Sequence, residues 1–151
     1  MILLDSCAIL EILFAGTDAV ALVDFLDKVQ AKGSLVILPP LIRLECSVVS
    51  AVRFKEGKFI NHETLADVLS SIDAIRTGPL DNDLTTEITE AAAHIKAEHG
   101  ASMVDCYLIA NAILRRAEVL TADAEIIDFR SARAKMRRVG KRFAAMSWRT
   151  T

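Results

Sequence analysis

At 151 residues the chain has the length of one domain, 1–151, large enough to bury its own core. Apolar residues make up 52% of it and the mean hydropathy is +0.34, yet no uninterrupted apolar run approaches the roughly 18 residues of a membrane span, which argues against a membrane protein. The net charge of −2 hides an asymmetry: the first 128 residues carry all 20 acidic and 10 of the 18 basic side chains, whereas the last 23 carry the other eight basic ones and no acid.

The first ten residues, MILLDSCAIL, read as a buried strand over Ile2, Leu3 and Leu4 closed by Asp5, followed by a short helical stretch up to Gly16. No basic residue precedes this stretch, and Asp5 and Glu11 interrupt it, so it does not read as a secretory signal and a cytoplasmic location is expected. Thr17 is expected to cap a helix over 18–31, with Val20, Leu22, Val23, Leu26 and Val29 on a broad apolar face and Gly33 as its stop. SLVILP is a second strand, and Pro39 and Pro40 open a helix to about Lys55. Helical patterns resume at 62–75 and 83–98, the second with Leu84, Ile88, Ala91, Ala92 and Ile95 inward. Between them, 76–80 is a short strand or a connection. Ser102 caps a helix over 103–117, VLTA is a strand, AEIIDF opens a short helix, and RFAAMS is a final edge strand. Strands alternating with helices predict an α/β fold: a parallel central sheet of about four to five strands flanked by helices.

Four acids stand where apolar patterns should continue. On the helix after Pro40, the neighbours of Glu45 on its face are Leu41, Val48, Val49 and Val52, which places Glu45 in the middle of a buried stripe. Asp105 repeats the situation among Ala101, Leu108, Ile109 and Ala112. Asp5 and Asp123 follow strands whose carboxyl ends face the ligand-binding edge of an open α/β sheet. Neither helix offers an inward Lys or Arg, and an unpaired buried carboxylate is costly. A hard divalent cation, Mg2+ or Mn2+, is the natural compensator. Each acid also has a structural reading: Asp5 and Asp123 as turn or cap residues, and Asp105 in an S-x-x-D capping box with Ser102. Glu45, in mid-helix, has no free backbone donor to satisfy.

ILLDSCAIL, PPLIRLECSVVSA, SMVDCYLIANA and VLTADAEI, taken as an ordered set, resemble the motifs of PIN-domain proteins, and within them the VapC-type ribonuclease toxins of toxin–antitoxin pairs. The resemblance implies a single PIN-like domain in which Asp5, Glu45, Asp105 and Asp123 bind the metal, with support from the hydroxyls of Ser6 and Thr121. It implies metal-dependent endoribonuclease activity by an activated water, leaving a 3′-hydroxyl and a 5′-phosphate. It further implies RNA as substrate, a cognate antitoxin and a homodimer as partners. Cys7 and Cys106 depart from the family pattern, and AEI lacks the further Asp that many members carry just after the fourth acid.

The basic C-terminal segment, 129–151, reads either as a phosphate-binding footprint through Arg130, Arg133, Lys135, Arg137, Arg138, Lys141 and Arg142, or as a solvated helix and tail. Phe143 and Trp148 within it stack bases or anchor the tail to the core. Three cysteines are too few and too odd for a disulfide framework, and Cys46 and Cys106 should turn away from the adjacent acids as core fillers. No G-x-G-x-x-G or Walker loop is present, and a haloacid-dehalogenase-like phosphatase would want an acid where Cys7 stands. The remaining rival is a catalytically silent PIN-like module that binds RNA or protein. An acidic cluster repels RNA and would serve such a module poorly.

Overall fold

The computed structural model describes residues 1–58, 63–80, 84–129 and 134–148. Ile2, Leu3 and Leu4 form β1 (Ile2–Leu4), and all three are buried, as in a parallel strand whose sheet is covered on both faces. It runs parallel to β2 (Val36–Ile37) on one side and to β3 (Glu118–Thr121) on the other, with Leu4 opposite Leu120. The sheet then turns antiparallel through a hairpin of β4 (Ala134–Val139) and β5 (Phe143–Trp148), giving the order β2-β1-β3-β5-β4.

Among the described residues seven helices flank this sheet: α1 (Ser6–Leu13), α2 (Ala19–Ala31), α3 (Pro40–Lys55), α4 (Leu65–Asp73), α5 (Thr86–His99), α6 (Met103–Arg115) and α7 (Ala124–Asp128). Their ends follow local chemistry. Pro40 opens α3 at a position where its missing N–H costs nothing. Thr64 and Asp67 close a reciprocal capping box on α4, and Gly100 ends α5 at φ +68°, where a residue with a Cβ would be strained. The most central helix, α6, is buried from Asp105 through Ala112 and packs on β3 and β5. None of the described helices is long and apolar enough to cross a membrane.

Several sequence expectations are corrected. The buried stripe of α3 is Ile42, Cys46 and Ser50, whereas Val48 and Val52 are 55% and 49% exposed, so Glu45 sits on the shoulder of the buried face and is half-buried. Val20 and Val23 of α2 face outward, and Leu84 is exposed ahead of α5. RFAAMS is not the edge strand: β4, hidden in the sequence by its run of Lys and Arg, lies outside it. Charged side chains are a usual way to keep a sheet edge from pairing further. Phe143 and Trp148 anchor the segment: both are buried, and the Trp148 indole N–H donates to the Phe129 carbonyl at 2.8 Å.

The hairpin is latched to the body by Asp18. This residue precedes α2 but makes no side-chain cap; its buried carboxylate instead accepts the backbone N–H groups of Lys141 and Arg142, each at 2.8 Å. Those bonds hold its carboxyl below the ordinary carboxylate range, with the Arg142 guanidinium adding to the effect. Glu11 completes the latch, accepting the Asp18 N–H at 2.9 Å and the Arg142 side chain at 2.6 Å. Gly140 makes the turn at φ +65°, and a Cβ there would lie 2.5 Å from Asp18 Oδ1, which two N–H bonds keep in place. Gly140→Ala is therefore expected to cost more than about 1 kcal/mol, read as a loss of roughly 2–4 °C in Tm per kcal/mol for a chain of this size. An unchanged melting temperature would show that the turn relaxes away from Asp18.

Candidate functional site

Parallel pairing brings the carboxyl ends of β1 and β3 to one edge of the sheet. Asp5 leaves β1 there, and its backbone N–H still reaches the Leu120 carbonyl at 3.2 Å. Its buried carboxylate accepts three hydrogen bonds. Oδ1 accepts the Ser6 N–H at 2.7 Å, and Oδ2 accepts the Thr121 hydroxyl at 2.5 Å and the Cys7 thiol at 3.1 Å. Thr121, wholly buried, also accepts the Asp123 N–H at 2.9 Å, so a single hydroxyl ties the first acid to the backbone of the fourth.

Asp123 caps α7 by accepting the Glu125 N–H at 2.7 Å. At the start of α6, the Ser102 hydroxyl accepts the Asp105 N–H at 3.1 Å and donates to Asp105 Oδ2 at 2.7 Å. The reciprocal half of a capping box is absent, because the Ser102 N–H donates instead to Glu125 Oε2 at 3.2 Å. The capping and the site readings of these acids thus coexist: backbone donors aim the carboxylates without neutralising them.

Asp105, Asp123 and Glu125 each present one carboxylate oxygen, and the three lie within 4.8 Å of one another. Among the described residues no Lys, Arg or His pairs with any of them or with Asp5. Burial pushes the carboxyl of Asp5 up from its ordinary value, with the Asp123 charge adding, although the bonds from Thr121, Cys7 and Ser6 oppose the shift. Burial likewise pushes Asp105 up to about 6, with Asp123, a hydrogen bond shared with Glu125, and Asp5 adding, and the Ser102 hydroxyl opposing. Such mutually raising carboxyls are what a cation among them would relieve.

Three of the four acids singled out in the sequence, Asp5, Asp105 and Asp123, act electrostatically on one another. Asp5 and Glu45 both lie outside the 4.8 Å triplet; Glu45 is beside Cys46, whose thiol senses both Glu45 and Asp5 and is pushed up to about 12, chiefly by burial. Ser6 contributes its backbone N–H to Asp5, and Thr121 its hydroxyl. Glu125 is the residue that sequence reasoning missed. It is a Glu rather than an Asp and stands two positions after the fourth acid, where the first turn of α7 returns it to the cluster.

Of the basic residues, Arg130 and Arg133 lie outside the described residues. Arg137 forms a bidentate pair with Glu118 and stacks over Phe25, and Arg142 pairs with Glu11, so both serve the fold. Lys135, Arg138 and Lys141 are exposed. In register, Arg138 stands opposite Ala144, which stands opposite Thr121, so Arg138 and the Lys141 turn sit at the edge of the sheet that carries the acids.

A family model of the PIN domain matches residues 2–132. The chain belongs to the PIN domain family. PIN domains are typically nucleases that use divalent metals, and the acidic cluster of this one is a candidate metal centre. The match ends before β4, so the basic hairpin lies beyond the matched PIN segment. No curated protein matches the chain closely enough to count as a relative.

The raised carboxyl of Asp105 carries a pH signature. An acid that titrates near 6 when folded, against an ordinary value of 3.8, lends stability that is full below about pH 3.8 and lost as pH rises through about 6. In ion-free melts, Asp105→Asn should gain on the wild type between about pH 4 and 7, by up to a few kcal/mol. A constant difference across that range would show that Asp105 titrates normally.

Proposed function

We propose that this PIN domain is a metal-dependent endoribonuclease, the toxin of a toxin–antitoxin pair acting in the cytoplasm. The observation that carries this reading is the set of three carboxylate oxygens within 4.8 Å with no basic partner among the described residues. The donor set is all oxygen and strongly negative, which fits Mg2+ or Mn2+. Asp5, Glu45, Asp105 and Asp123 would hold the ion, with Glu125 as a fifth acid. When bound, a divalent ion supplies Lewis acidity toward a phosphodiester and acidifies water, so that hydrolysis leaves a 3′-hydroxyl and a 5′-phosphate with no covalent enzyme intermediate. Thr121 and Ser6 hold Asp5, and Ser102 holds Asp105, so the carboxylates are oriented before substrate arrives.

Arg138 and Lys141 would receive RNA phosphates flanking the cleaved one. Arg138 lies two strand spacings, about 10 Å, from Thr121 in the plane of the sheet. Partner binding is supported by an apolar cavity of about 570 Å3 between α5 and α6, lined by Leu41, Leu84, Ile88, Ala92, Met103 and Tyr107. Met103 is 73% exposed, and the buried Tyr107 hydroxyl has no hydrogen-bond partner among the described residues. Both suit a segment of the antitoxin lying against α6 beside Asp105, and the exposed Val48 and Val52 of α3 suit a homodimer contact.

Purified protein, freed of any partner, should cut a cellular RNA pool with Mg2+ or Mn2+ and not with chelator, and Asp105→Asn or Asp123→Asn should abolish the cuts while keeping the fold. No cleavage by the folded wild type would instead favour the silent binding module. Arg138→Glu with Lys141→Glu should lower the slope of log affinity against log salt by about 0.7 per lost phosphate contact; an unchanged slope would remove these residues from the RNA path.

A further inference from the structure

Cys7 is unlike the other two cysteines. Cys46 and Cys106 are buried as core fillers, as their helical positions predict, whereas Cys7 is half-buried at the margin of the core and its sulfur meets polar groups. It lies in the first turn of α1, yet its sulfur reaches across to β3 and the loop behind it: 3.1 Å from Asp5 Oδ2, 3.6 Å from Thr121 Oγ1 and 3.3 Å from the Ala122 nitrogen. The Ala122 N–H donates to the sulfur, which leaves the thiol hydrogen for the carboxylate. Ala122 immediately precedes Asp123. One side chain therefore contacts the first acid and the backbone that presents the fourth.

We infer that Cys7 is a positioning residue of the metal centre, its thiol fixing both the orientation of Asp5 and the loop that carries Asp123. This rests on the metal-binding reading given above. Thr121 joins Asp5 to the Asp123 N–H, and Cys7 adds a second tie one residue earlier, because among the described residues its sulfur is the acceptor of the Ala122 N–H. Without the thiol, Asp5 Oδ2 keeps one donor of two, and a part-buried N–H loses its acceptor. The spacing between the carboxylates would then widen or fluctuate. A serine hydroxyl can make the same two contacts, and an alanine methyl can make neither.

The test is titration of the full chain, under reducing conditions, with Mn2+ alone by calorimetry, for the wild type, Cys7→Ser and Cys7→Ala, beside ion-free melts of all three. Loss of an outer hydrogen bond to a metal ligand typically weakens binding by about ten- to a hundredfold. Cys7→Ala is expected to lose at least about tenfold in Mn2+ affinity, while Cys7→Ser stays within a few-fold of the wild type and the two variants melt within a few degrees of each other. Wild-type affinity in Cys7→Ala would overturn the inference, as would an equal loss in Cys7→Ser, which would make sulfur bulk the relevant property. A Cys7→Ala protein that melts far below Cys7→Ser with unchanged affinity would make Cys7 a packing group. A wild type that binds no Mn2+ would instead overturn the metal reading, an outcome separate from the behaviour of the variants.

Discussion

The hydrogen bond from the buried Thr121 hydroxyl to Asp5 is the constraint on which the site depends. It joins the ends of two parallel strands through a neutral donor, and the same oxygen accepts the Asp123 N–H. Neutral donors stabilise a carboxylate without cancelling its charge, so the cluster keeps a strong negative field where solvent is partly excluded. The core enforces this: Leu3, Leu4, Val119 and Leu120 beneath the edge are fully buried, and the acids cannot splay apart without disturbing that packing. Repulsion that would otherwise be relieved by movement is retained at this candidate metal centre.

Asp18 shows what the same side chain does when its partners differ. It too is buried, yet two backbone N–H groups and a guanidinium meet it, and its carboxyl is lowered where those of Asp5 and Asp105 are raised. At Asp18 the backbone N–H bonds outweigh burial and join two parts of the fold. At Asp5 and Asp105 burial outweighs the hydrogen bonds they accept, and neighbouring carboxylates add to the shift at the candidate active site.

Much of this was legible in the sequence, because β1, β3 and α6 have apolar patterns so continuous that a carboxylate within or after them stands out. The candidate acids Asp5, Asp105 and Asp123 stand out in that way. Glu45 was found by a stripe that the structure moves round the helix: Val48 and Val52 form an apolar pattern without facing the core, since periodicity reports a hydrophobic face and not what covers it. Strand β4 stayed hidden because an edge strand needs only its inward positions to be apolar, and Lys135 to Arg138 conceal even that alternation. Glu125 was missed because its role depends on where the short α7 begins, a boundary set by the Asp123 cap. The role of Asp18 was beyond reach, since its partners lie more than 120 residues away in sequence.

The charge asymmetry takes on a different meaning once folded. Read along the chain, an acidic body with a basic tail suggests two regions with separate partners. In the structure the tail is a hairpin in the same sheet, and part of its charge is answered from within: Arg137 by Glu118 and Arg142 by Glu11. Those pairs hold the hairpin in register beside β3. Among the described residues Lys135, Arg138 and Lys141 form no ion pair, and Arg138 and Lys141 stand at the edge where the acids gather. A polyanion approaching that edge meets repulsion from the carboxylates and attraction from the hairpin within about one Debye length. The two halves of the chain's charge thus meet at one edge of the sheet, which the linear order of acids and bases does not convey.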